Sequence, residues 1–317
     1  MSSHRQGKTA GASLDHYLKL RACVEARLSQ LLPGNVSADA LQRALRYSLL
    51  APAKRVRAVL MMITARELGG SEEKALDLSS SLEMIHAASL ILDDLPAMDD
   101  AETRRGMPAS HRVFGEATAI LAAIGLLNRA YGVAAAAEGL TMDQRIAAIE
   151  VLHWAVGLDG LVRGQQDDLA DARATMTAGE LEKMYARKTG ALFAAAAECG
   201  AIVAGKPLLR AAMRAFGLDL GVGFQMLDDV LDARATSERA GKDVDQDSGR
   251  TTFASLVGVN AAAALARAKI DGALEAARAA ARSAGGDGGM FSAFAARLAG
   301  TFSDLMPEFS VALAVNG

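Results

Sequence analysis

Apolar residues recur at helical spacing, or helix-forming residues dominate, through ten stretches: 13–31, 37–50, 54–68, 72–94, 110–138, 142–168, 177–203, 207–234, 252–283 and 289–315. Alternating β-branched runs are nearly absent between them. A chain built this way must bury the apolar stripes of its helices against one another, so it is expected to be all-α. Aromatic residues make up only 4% while alanine is abundant, which favours closely packed helices over a sandwich or barrel. The breaks carry turn chemistry: Gly69 and Gly70 precede a capping Ser71, and Gly205 is followed two residues on by Pro207. No Pro-, Ser- or Gly-rich linker divides the chain, and "AGGDGG" at 284–289 lies too near the C-terminus to bound a second domain. One domain over 1–317 is expected, with a flexible N-terminal tail at 1–12.

A formal charge of -3 provides no general basic field, so nucleic acid is not an expected partner and any anion must be held by local groups of Lys and Arg. The two cysteines, Cys23 and Cys199, are far apart and lack metal-ligand spacing, which fits a reducing cytoplasm. The start "MSSHRQGKTAGASLD" has no apolar signal region, and the apolar stretch from Ala191 to Ala204 is short and contains Glu198. No membrane span is expected.

Two connections are both long and strongly charged, 95–110 and 236–252, and each directly follows an aspartate cluster at a helix end. Asp93 and Asp94 close one helix; Pro96 forces the chain to turn, and a loop returning Asp99 toward Asp93 would make an all-oxygen site suited to Mg²⁺. Asp100 is either a helper or a solvated neighbour. In "FQMLDDVLD", Asp228 and Asp232 share a helix face, with Asp229 beside them and Gln225 one turn earlier. Two carboxylates about 5 Å apart repel by roughly 3 kcal/mol at an effective dielectric near 20, a cost that a bound metal removes. One cluster alone could be a solvated acidic helix end. Two of them on otherwise core-like helices point to two acidic ends facing one cavity. Cations accompany them: Lys54 and Arg57 at i,i+3, Arg104 and Arg105 after the first cluster, and Lys188 and Lys242 elsewhere. His86 lies two helical turns before Asp93, on nearly the same face, placed to donate to a bound anion.

These residues resemble, over nearly the whole chain and in order, the trans-isoprenyl diphosphate synthases, or polyprenyl synthetases. "DDLPAMD" followed by "RRG" is similar to the first aspartate-rich motif in its longer bacterial and plant spacing, and "DDVLD" to the second. "KRVR", "EMIHAASLILDD", "GQQDDL", "RKTG", "FQMLDD" and "GKD" match the intervening blocks. The resemblance implies a single large helical bundle around a central apolar cavity, acting as a homodimer. It implies Mg²⁺-dependent head-to-tail condensation of isopentenyl diphosphate with an allylic diphosphate, mainly giving geranylgeranyl diphosphate, with farnesyl diphosphate synthesis as the alternative. Asp93, Asp99 and Asp228 would hold Mg²⁺, supported by Asp94, Asp229 and Asp232. Lys54, Arg57, His86 and Arg105 would hold isopentenyl diphosphate, and Arg104, Lys188 and Lys242 the allylic diphosphate. Thr189 and Gln225 would face the reacting carbon, backed by Gln165 and Asp168. The small Ala88 and Ser89, five and four residues before Asp93, would set product length, because farnesyl-producing relatives often carry a bulky aromatic at one of these places.

The chain departs from the family pattern at Pro52, Ala53 and Ala58 around the first basic motif, where Gly-Gly and a following Pro are usual. It also departs at Met107, Arg163 and Asp245. Two rival functions are a class I terpene cyclase, which needs no isopentenyl site, and a silent partner subunit, which commonly lacks one aspartate motif.

Overall fold

Helices account for almost every element of the computed structural model, which describes residues 3–32, 39–170, 173, 175–240 and 251–300. The chain runs α1 (Ser3–Leu31), α2 (Ala40–Leu49), α3 (Val56–Glu67), α4 (Glu72–Asp93), a two-residue hairpin, α5 (Ser110–Phe114), α6 (Glu116–Ala135) and α7 (Met142–Val156). It continues through α8 (Leu161–Leu169), α9 (Ala178–Tyr185), a π-helical segment (Ala186–Gly190), α10 (Ala191–Val203) and a 3₁₀ turn (Pro207–Leu209). The last helices are α11 (Arg210–Ala240), α12 (Phe253–Val257), α13 (Val259–Ala284) and α14 (Gly289–Gly300).

At the centre lies α10, whose thirteen residues are all buried. It packs on α11, α3 and α7; α11 packs in turn on α13, and α4 on α6 and α3. Alanine explains the closeness. Gly217 and Gly221 of α11 approach α10 and the π segment so nearly that an added Cβ would meet backbone of Ala194 at 2.6 Å and of Gly190 at 2.7 Å.

The observed helix boundaries refine the sequence expectation. Stretch 110–138 is two helices, broken at Gly115 with φ +81, and 252–283 is two, broken at Gly258 with φ +85. Stretch 142–168 breaks between Val156 and Leu161. α1 begins at Ser3, ahead of the expected start at 13. The strand pair β1 (Thr103–Arg104) and β2 (Met107–Pro108) was not anticipated; Thr103 faces Pro108 and Arg104 faces Met107 in an antiparallel register. Its turn residues Arg105 and Gly106 have φ 55 and 77, the left-handed pair of a type I′ hairpin.

Among the described residues two helices, α4 and α6, have the length and apolarity of a bilayer-crossing segment. The most apolar window of α4 is 72% buried inside the protein, so its composition is that of a core helix; that of α6 is only 33% buried. Ile120, Leu121 and Ile124 of α6 are exposed.

Candidate active site

The first acidic cluster closes α4. Asp94 is its C-cap, and the chain folds back so that the Asp99 N–H donates to the Asp93 carbonyl at 2.9 Å and the Ala101 N–H to that of Asp94 at 3.2 Å. Asp99 is thereby returned to Asp93, as its spacing predicts. Asp100 takes a left-handed φ of 44 and pairs with Arg112 at 3.2 Å, away from its neighbours. Asp94 is buried and receives two bonds from Arg104, one of them from Nε at 2.8 Å. Arg104 therefore braces the hairpin against the helix end. Tyr47 adds a second brace, donating to the Pro108 carbonyl at 2.8 Å.

The second cluster sits on α11. Asp229 is buried and accepts from the Tyr185 hydroxyl and from the Phe253 N–H at 3.1 Å. Its carboxylate thus ties α9 and α12 to α11, while Asp228 is half-buried and Asp232 exposed. Burial first, then repulsion from Asp232 and Asp229, pushes Asp228 up to about 7. Burial raises Asp93 to about 6, with Asp99 and Asp94 adding to the rise and Lys188 opposing it. Burial likewise raises Asp229 and Asp232. Among the described residues no three ligating side chains form a ready-made metal cage. The second cluster is not at a helix end as expected, because α11 runs on past it to Ala240. The donor set nevertheless fits a hard divalent cation, with oxygen ligands only, at the end of α4 and within α11, each holding charge at a cost.

Within electrostatic reach of Asp228 lies a group of cations that includes Lys54 and Arg57. Arg57 is half-buried, lies over the Phe193 ring at 4.7 Å and stands 3.2 Å from His86 Nε2. A guanidinium only donates, so Nε2 accepts, and His86 orients Arg57 rather than pointing that nitrogen at an anion. Burial, then Arg57, Arg105, Arg55 and Arg104, holds His86 well below its ordinary value, so the imidazole is neutral. Burial lowers Arg57 to about 10 even though Glu83 and Asp228 oppose the fall; Arg105 deepens it. Arg105 is lowered by burial and by Arg55. Lys54 is exposed beside them.

Sequence reasoning passed over the residues that build this patch. Arg55 has a left-handed φ of 52, and its buried guanidinium donates to the carbonyls of Leu49 (2.7 Å) and Ala51 (3.1 Å) and to Glu83 (3.3 Å). Glu83 also accepts from the Ala58 N–H at 3.4 Å. This arginine clamp forms the turn into α3 where Pro52 and Ala53 replace the glycines usual in the resemblance. A glutamate within the apolar run "SLEMIHAASLIL" was the available signal for a buried ion pair.

The π-helical segment supplies Lys188 and Thr189. α8 comes so close to it at Gly164 that a Cβ there would meet the Lys188 nitrogen at 2.2 Å. Lys188 bonds Asp168 at 2.5 Å, and Asp168 also pairs with Arg173. Thr189 donates to Gln225 Oε1 at 2.7 Å. Gln165 reaches Met98 Sδ at 3.9 Å, linking α8 to the acidic loop. Arg163 is exposed and pairs with Asp167, and Met107 is the strand partner of Arg104. Lys242 and Asp245 lie outside the described residues.

The fold and the paired charge clusters define an all-α enzyme of the isoprenoid synthase type. A crystal structure of geranyltransferase from Helicobacter pylori complexed with magnesium and isoprenyl diphosphate superposes with a TM-score of 0.78 at 26% identity, covering 90% of this chain and 97% of that one. Residues 38–284 match the polyprenyl synthetase family, and the chain belongs to it. A geranylgeranyl diphosphate synthase of Pseudescherichia vulneris is 41% identical over 271 residues, 84% of this chain and 87% of the relative. A farnesyl diphosphate synthase of Geobacillus stearothermophilus is 37% identical over 254 residues, 78% and 86% of the two chains.

Proposed function

We propose that this prenyltransferase joins isopentenyl diphosphate to an allylic diphosphate and mainly makes geranylgeranyl diphosphate, with farnesyl diphosphate as the alternative product. The observation that carries this reading is unmet charge of both signs. Carboxylates raised toward neutral pH want a cation, and Arg57, lowered by burial and Arg105, and Arg105, lowered by burial and Arg55, want an anion. A metal diphosphate satisfies both. Asp93, Asp99 and Asp228 are the proposed Mg²⁺ ligands; when bound, the ion would neutralise diphosphate charge as the allylic carbon–oxygen bond breaks. Lys188 holds the leaving diphosphate, and Lys54, Arg57 and Arg105 hold isopentenyl diphosphate. Thr189 and Gln225 present oxygens near the developing carbocation, and the apolar bundle keeps water from quenching it. The isopentenyl alkene attacks that cation, and a proton then leaves to the departing diphosphate.

The test is to incubate the purified chain with Mg²⁺, isopentenyl diphosphate and dimethylallyl, geranyl or farnesyl diphosphate, and to separate products by chain length. No turnover with any starter would support the silent-subunit alternative. Product without consumption of isopentenyl diphosphate would make it a cyclase.

Product length rests on small residues along α4. Ala88 is fully buried, and Ser89, nearly so, donates to the His86 carbonyl at 2.9 Å. On a helical wheel Ser89 lies about 40° from Asp93 and Ala88 about 140° away, so the choice of Ala88 follows the family pattern. Ala88→Tyr is expected to shift the main product from twenty carbons to fifteen while the first condensation continues. A folded mutant still making twenty carbons would put the floor of the pocket elsewhere.

The exposed apolar row on α6 supports a homodimer, with a second copy as its occupant. Leu121→Glu combined with Ile124→Glu is expected to halve the mass seen by light scattering; an unchanged mass would exclude α6 as the dimer face. Cys23 and Cys199 are both free thiols, which accords with a cytoplasmic enzyme.

A further inference from the structure

α1 lies before the matched family segment and α14 after it, yet together they reach the basic patch. Tyr17 of α1 is buried, and its hydroxyl donates to the backbone carbonyl of Lys54 at 2.5 Å. The ring also packs on α14: the Phe294 ring lies 6.4 Å away, centroid to centroid, tilted by 40°, and the Arg297 guanidinium lies 5.9 Å from the Tyr17 ring centroid. α14 is itself anchored, because the buried Glu67 at the end of α3 accepts from the N–H groups of Gly288 (2.9 Å) and Met290 (2.6 Å). α1 is fixed to the start of α4 through His16 and Glu72, 2.6 Å apart.

From this geometry we infer that Tyr17 is a positioning residue for isopentenyl diphosphate, acting through Lys54. The inference rests on the assignment of the basic patch to that substrate. Lys54 is the last residue before the left-handed Arg55, in a turn that lacks the usual glycines. Arg55 fixes the carbonyls of Leu49 and Ala51 on one side of that turn. On the other side, the Lys54 carbonyl is held by the Tyr17 hydroxyl. Without it the peptide following Lys54 can rotate, and with it the direction in which an exposed, flexible lysine leaves the backbone. Burial pushes the Tyr17 hydroxyl up to about 12, so it remains a donor throughout the working pH range.

Tyr17→Phe keeps the ring packing and removes only the donor. It is expected to raise KM for isopentenyl diphosphate about five- to tenfold, the size of one ordinary hydrogen bond, with kcat and the allylic KM within about twofold of wild type. In a Lys54→Ala background the same substitution should change nothing further, since its effect runs through Lys54. Phe294→Leu, which leaves Tyr17 intact but loosens its ring, should give a smaller change confined to the same substrate. Equal rises in both KM values, or an effect that adds in full to Lys54→Ala, would overturn the inference and leave Tyr17 a stability residue. If Lys54→Ala weakens the allylic substrate instead, the assignment of the patch fails; the positioning role then stands only if Tyr17→Phe follows Lys54 to that substrate, and is overturned if it does not.

Discussion

Asp228→Asn is expected to cut turnover by at least about a hundredfold, the scale at which loss of one preorganised charge-stabilising contact is felt, while making the metal-free protein more stable. Asp93→Asn should behave alike. The two effects share a cause, since a carboxylate poised for metal is a burden without it. Asp228 has a folded pKa of about 7 against an ordinary 3.8. Between those values the folded protein holds a proton that the unfolded chain releases, so this group's stability contribution is present below about pH 4 and lost as pH rises through about 7. The neutral asparagine does not lose it. At pH 8 without Mg²⁺ the mutant should therefore melt roughly 2 °C higher, the shift that about 1 kcal/mol produces in a large domain. In the wild type, Mg²⁺ should raise Tm at pH 8 and do so less at pH 6, where protons compete for the carboxylates. Near-normal turnover of the mutant at saturating Mg²⁺ would remove Asp228 from the ligand set.

Arg57→Ala should raise KM for isopentenyl diphosphate ten- to a hundredfold and that for the allylic partner far less. A charge-assisted bond to a diphosphate is worth roughly 1.5–3 kcal/mol. The mutant loses more than one contact, since Arg57 also lies over Phe193 and against His86. Removing it leaves His86 Nε2 without its donor, and that nitrogen is then expected to take up a proton more easily, because Arg57 is the largest charge holding its pKa down. NMR titration of the His86 ring would show this as an upward pKa shift. Equal weakening of both substrates would contradict a division of the cations between two diphosphates.

The parts of this site that could be read from the sequence are those whose residues act through position along one helix. Asp93 and Asp228 end or interrupt apolar runs, so their spacing alone identifies them, and Lys54 and Arg57 are one helical turn apart. Long-range partnerships were hidden. Glu83 is 28 residues from Arg55, and Tyr17 is 37 from Lys54; no periodicity links them. The same limit explains the strand pair at Arg104, where two residues are too few to show alternation, and the split of 110–138. Gly115 reads as one tolerated glycine inside a helical pattern until its φ of +81 is known. The roles of Arg104 and Lys188 also look different once partners are visible, because each arrives already paired with an aspartate, Asp94 or Asp168. In the proposed roles a diphosphate would have to compete with a carboxylate for them, a balance that spacing along the chain does not reveal.

Three residues other than glycine carry a left-handed backbone among those described: Arg55, Asp100 and Arg105. All three stand in the two segments that border the charge clusters. A protein engineer seeking heat resistance would ordinarily relax such positions to glycine. Here Arg55 clamps the turn that carries Lys54, and Arg105 is one of the cations proposed to hold isopentenyl diphosphate, so under that reading thermal robustness and substrate affinity would draw on the same two backbone sites. Selection for a hotter habitat would have to work elsewhere, in the alanine-lined core or on α6, and leave these turns under tension.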